Sequence, residues 1–138
     1  MATTYLTRTM TGSPTSNQKG TMSYWVKRSK LGVYQFLGQI GAANAGSAGA
    51  DFNSDDQLTF YWEHDGSAWD MLKTNRVFRD TNSWYHILWN WDSTLGASGD
   101  RLQLWVNGVR ETDFATETPP AQDATCLIGS AQTYNFNA

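Results

Sequence analysis

Hydrophobic and polar positions alternate along much of this chain with a period of two, the spacing that sends successive side chains to opposite faces of a β-strand. In TMSYWVKR (21–28), Met22, Tyr24 and Val26 alternate against Thr21, Ser23, Trp25 and Lys27. QLTFYWE (57–63) gives a row of Leu58, Phe60 and Trp62, and LQLWV (102–106) sets Leu102, Leu104 and Val106 against Gln103 and Trp105. SWYHILWNWD (83–92) is the densest stretch: Tyr85, Ile87, Trp89 and Trp91 share one face, Trp84, His86, Leu88 and Asn90 the other. Both faces of that strand are largely apolar, so the second needs a cover, from this protein, another chain or a ligand.

Weaker strands are predicted at TTYLTR (3–8), NRVFRD (75–80), ATCLIGS (124–130) and TYNF (133–136). VYQFLGQI (33–40) is read as a strand with Tyr34, Phe36, Gly38 and Ile40 in one row. TGSPTSNQKG (11–20) is a loop by composition, and GAANAGSAGA (41–50) reads as a flexible Gly-rich loop. Asp65-Gly66 marks a hairpin turn whose return strand begins with Trp69 and Met71, and Asn107-Gly108 is the strongest hairpin signal. No helical period is sustained, and turn signals recur roughly every 8–12 residues, so the pattern predicts an all-β antiparallel sandwich. No linker divides the sequence, and residues 1–138 are expected to form a single domain.

Charge changes the picture by exclusion. A net charge of −3 is the wrong sign for a protein that neutralises phosphates, so no nucleic-acid partner is expected. The basic cluster VKRSK (Lys27, Arg28, Lys30) reads as a solvated strand end. The single cysteine, Cys126, cannot form an intrachain disulfide and reads as a small buried residue in TCLIG. MATTYLTRTM lacks the apolar run of a signal peptide, and no stretch approaches the ~20 apolar residues that cross a bilayer. Synthesis in a cytoplasm and no membrane partner are therefore expected.

Three phrases, MSYWVKRSKLG, SWYHILWNWDST and LQLWVNGVRETDF, in this order and spacing, resemble the laminin G-like branch of the concanavalin A-like lectin/glucanase jelly rolls. Within that branch they are most similar to versions in bacteriophage and cyanophage virion proteins, and FNSDDQL, RVFRD and TETPP fit the same pattern. The resemblance implies a two-sheet jelly roll in which Trp84, His86 and Asn90 lie on or near a groove on the concave side of a curved sheet. Domains of this kind normally close with a further strand after the IGS segment, beside SYWVKR. Here the sequence ends in QTYNFNA, so either QTYNF is a shortened replacement or a sheet edge is unfilled.

Candidate chemistry is sparse. Glucanases of this group carry three inward carboxylates at alternate positions, whereas EHDGS offers Glu63 and Asp65 with Ser67 in the third place and a turn at Gly66. No catalytic residue is assigned. Asp55 and Asp56 are the one candidate for calcium, which some laminin G-like domains bind, but calcium takes six or more oxygens and adjacent strand residues point apart. They read as turn residues, as does Asp92; His64 and His86 lack metal spacing, and no cofactor is expected. Two functions remain. One is a non-catalytic structural or adhesive protein of the virion surface (capsid decoration, head fibre or tail fibre), made in the host cytoplasm, with other virion proteins or copies of itself as partners through aromatics such as Trp25, Trp84 and Trp105. The alternative is a carbohydrate-binding module whose ligand patch is Trp62, His64, Trp69, Trp84 and His86, since aromatic faces stack on sugars and histidine supplies directional hydrogen bonds.

Overall fold

The alternating stretches become strands. The computed structural model describes residues 5–12, 14–41, 47–63, 69–128 and 133–137. In chain order the strands are β1 (Tyr5–Thr9), β2 (Lys19–Val26), β3 (Gln35–Gly41), β4 (Ser47–Phe52), β5 (Gln57–Glu63), β6 (Trp69–Val77), β7 (Tyr85–Asp92), β8 (Leu102–Val106), β9 (Val109–Arg110), β10 (Phe114–Thr118) and β11 (Thr133–Asn137). One 3₁₀ turn, Ser98–Asp100, lies between β7 and β8. A large sheet of seven strands runs β1-β11-β3-β4-β5-β6-β10, and a small sheet of four runs β2-β7-β8-β9. Neighbours in both are antiparallel. The fold is an all-β, two-sheet sandwich of jelly-roll type.

The inner rows are those that the alternation selects. Tyr85, Ile87, Trp89 and Trp91 of β7 are buried, as are Leu102, Leu104 and Val106 of β8. From the large sheet, Leu58, Phe60 and Trp62 face them, and Phe60 stacks on Trp89 with centroids 4.8 Å apart. Fully burying one such side chain contributes about 1.5–3 kcal/mol. Close packing also demands small residues: a Cβ on Gly20 would overlap the Trp91 ring, which lies across β2 at their shared register position. The β8–β9 hairpin turns at Asn107 and Gly108, both with positive φ (54° and 79°), as the Asn-Gly pair predicts.

Several expectations are corrected. Ser47–Ala50, read as part of a flexible loop, belong to the buried interior strand β4; residues 42–46 lie outside the described residues. The small residues alternate there too, Ala48, Ala50 and Phe52 facing the core while Ser47, Gly49 and Asp51 face outward. Phe36 and Ile40 do not share a face, because the register between β3 and β4 shifts between Phe36 and Gly38 and turns Phe36 outward. Asn75–Val77 extend β6 rather than starting a new strand, and residues 124–128 form none.

The closing segment is also resolved. Thr133–Asn137 supply β11, but this strand inserts between β1 and β3 of the large sheet instead of lying beside β2. Among the described residues β2 is therefore an edge strand of the small sheet.

Candidate functional site

The outer face of the large sheet carries a groove of about 480 Å³ across β3, β4, β5 and β6. Its floor follows from the register. Phe36, Asp51, Thr59 and Lys73 stand in one row across the four strands, and Gln39, Gly49, Tyr61 and Met71 stand in the next. Gly49 is what keeps the second row low. A Cβ there would lie 2.6 Å from the Gly38 carbonyl oxygen and 2.8 Å from the Tyr61 hydroxyl, so only glycine lets the Tyr61 ring lie flat across β4. Trp69 meets Tyr61 edge-on at 5.4 Å, and on the β3 side Tyr34 stacks with Phe36 at 6.4 Å. Tyr34 (61% exposed) and Trp69 (41% exposed) thus present rings on opposite sides of a polar floor. Three strand spacings separate those sides, roughly 14 Å.

The rim is held by a buried ion pair. Arg28 is 2% exposed and donates from Nη1 to Asp56 Oδ1 (2.9 Å) and the Phe78 carbonyl (3.0 Å), and from Nε to Gln35 Oε1 (2.9 Å). Asp56 accepts in addition from the Gly32 N–H (2.8 Å) and Arg79 Nε (3.0 Å). The Gly32 N–H, with the Arg79 and Arg28 guanidiniums, holds its carboxyl below the usual range. This cluster joins the 27–34 loop that carries Tyr34 to the 53–56 turn that carries Asn53 and Asp55, both on the groove. The solvated-strand-end reading of VKRSK is thereby corrected for Arg28, though Lys27 and Lys30 are exposed. Asp55 and Asp56 lie in the 53–56 turn, as their sequence reads, and both Asp56 oxygens are committed to arginines rather than open to a cation.

The floor holds a different kind of carboxyl. Asp51 is 5% exposed, and its Oδ1 is buried without a hydrogen-bond partner. Burial pushes its carboxyl up to about 6. The Tyr61 hydroxyl is pushed well above its ordinary range, first by burial and then by the Asp51 charge. Leaving a buried polar group unsatisfied costs about 1–3 kcal/mol, so a retained one marks a place where function is to be sought.

The structure divides the expected ligand patch. Trp69 lies on the groove. Trp62, on the neighbouring strand, points the other way: it is fully buried and its Nε1 donates to the Thr125 carbonyl (3.1 Å), so it is a core residue and not a ligand contact. His64, with the Asp65-Gly66 turn, lies outside the described residues. Trp84 and His86 sit by the small sheet, on the far side of the core from this groove, and so do not join Trp69 in one patch. His86 stacks under Trp25 at 4.8 Å and its Nε2 bonds Ser23 Oγ (2.9 Å), while Thr21 Oγ1 donates to Asn90 Oδ1 (3.1 Å). Trp84 is 58% exposed. Tyr34, Phe36, Gln39, Asp51, Tyr61 and Lys73 are the groove residues that the sequence reading passed over.

A two-sheet antiparallel jelly roll is an architecture shared by capsid and lectin domains. The chain belongs to the concanavalin A-like lectin/glucanase superfamily, whose laminin G family model matches residues 2–138. Among solved structures it is similar to the native heptameric SAP-like pentraxin from Limulus polyphemus, with a TM-score of 0.60 and 15% identity over 96% of this chain and 56% of the pentraxin's. The mouse laminin alpha1 chain, domains LG4-5, aligns with a TM-score of 0.49 and 9% identity over 99% of this chain and 36% of that one. The chain thus spans about half of the pentraxin chain and about a third of the laminin one. No curated protein matches the sequence.

Proposed function

We propose that this domain is a non-catalytic recognition module that binds carbohydrate in the groove of the large sheet and serves adhesion at the surface of a phage particle. The observation that supports the binding role is the groove itself, with Tyr34 and Trp69 exposed on its two sides and Gln39, Asn53, Thr59 and Lys73 between them. Aromatic faces pack on sugar C–H groups, and a few polar groups orient the hydroxyls. Hydrolysis of a glycoside needs a second carboxyl placed across the scissile bond. Beside Asp51 stand Phe36 and Thr59 across the strands, and Gly49 and Asn53 two positions along the chain. Among the described residues Asp55, the other acid on the groove, sits on an exposed turn.

The virion setting rests on the three phrases that resemble phage domains. Trp25 and Trp84, exposed beside the small sheet, would there serve contacts with neighbouring virion proteins or further copies. The binding role is tested by titrating oligosaccharides against the wild type and Trp69→Ala. An affinity lowered roughly tenfold, about 1.4 kcal/mol, is expected in the variant; glycans that bind equally well to both, or to neither, refute the groove as the site. Antibody labelling of assembled particles tests the setting, which fails if the protein is absent from them.

A further inference from the structure

The carboxylates of this protein are partnered where they matter structurally. Asp56 is held by two arginines, Asp92 by Lys19 and Thr94, and Asp80 by Ser83 and the Asn82 N–H. Asp51 departs from that rule. It stands on the groove floor, nine-tenths buried, with Oδ1 unsatisfied and no cation among the described residues paired to it. The titratable groups around it are Tyr61 on β5, Lys73 on β6, and Tyr34 and Asp55 on the adjoining loops. Lys73 stands two strands away in the same row, beyond Thr59, and makes no ion pair with Asp51 among the described residues.

A buried charge is tolerated when a partner arrives to compensate it. A neutral sugar hydroxyl would satisfy the hydrogen-bonding capacity of Oδ1 and leave the charge. An ammonium satisfies both, and the ring of Phe36, the register neighbour of Asp51, adds to the attraction for a cation. We propose that the groove selects sugars bearing a free amino group, with Asp51 Oδ1 accepting a hydrogen bond from the ligand's ammonium. This rests on the groove being the carbohydrate site, as argued above. Burial raises the Asp51 carboxyl to about 6, which is the direction expected of an acid that waits for a cation.

Calorimetric titration of the whole protein at about pH 6.5, where carboxyl and amino sugar can exchange a proton, tests this with two probes. One is a tetramer of β-linked glucosamine, the other its fully N-acetylated counterpart, which has the same rings without the charge. Wild type is expected to bind the amine tetramer at least about tenfold more tightly than the acetylated one. Asp51→Asn, which keeps the shape and removes the charge, should erase that preference, and a cooperative urea transition will show that the variant is folded. Equal binding of both probes by wild type, or a preference that survives in Asp51→Asn, overturns the amine assignment. If both probes bind equally and Trp69→Ala weakens both, the groove stands and the amine assignment alone falls. If neither probe binds, both readings fall together.

Discussion

The two sheets present opposite kinds of outer surface. The small sheet displays more exposed indole, with Trp25 at 68% and Trp84 nearby, yet the polar groups around Trp25 are already paired: His86 with Ser23, Asn90 with Thr21. The large sheet exposes less aromatic area and holds an unpaired carboxyl oxygen at the bottom of a depression. Exposed rings alone therefore do not locate a binding site. Concavity together with an unmet polar demand does so better, because only there does a ligand supply an interaction that the free protein lacks.

The largest effects come from the glycine on which each sheet depends. Gly20→Ala forces a methyl against Trp91 in the core, and Gly49→Ala forces one against the Gly38 carbonyl and the Tyr61 hydroxyl. Each should destabilise the protein by about 1–3 kcal/mol in urea unfolding. Only Gly49→Ala should also weaken glycan binding; an equal loss in Gly20→Ala would show that the groove is not special. Next comes Asp51→Asn. Because the folded carboxyl titrates near 6, above its ordinary 3.8, the native state holds the proton more tightly than the unfolded chain. Wild-type stability should thus fall as pH rises from 4 to 6, by on the order of 2 kcal/mol, and stay lower above that. The variant should match wild type near pH 4 and exceed it near pH 8, as urea midpoints will report; a variant less stable at pH 8 contradicts the uncompensated charge. The smallest effect is expected on the small sheet, where Trp25→Ala should shift stability by no more than about 0.5–1 kcal/mol and leave binding in the groove unchanged.

Much of the scaffold was legible in the alternation. The two faces of β7 and the core rows of β5 and β8 could be assigned from the sequence because a period of two, once one face is buried, permits a single register. The groove was less legible, since it depends on pairings between positions distant in sequence. Nothing local in VKRSK reveals that Arg28 meets Asp56, 28 residues on. The bulge that turns Phe36 outward leaves Tyr34 and Phe36 looking like core residues in the sequence. The strand that carries Asp51 was hidden because alanine, serine and glycine give little hydropathy contrast, although AGADF does alternate. The tryptophans drew attention away from it, and Trp62 shows why a ring in a recognition fold is often simply core.

The placing of β11 has a consequence for how the molecule folds. Among the described residues β11 is the sheet neighbour of β1, with Leu6 opposite Phe136 and Thr9 opposite Thr133. Thr9 and Thr133 lie 124 positions apart, so this edge of the large sheet closes across most of the sequence. Pairings so remote are won late in folding, and the edge should be the slow part of the sandwich to assemble.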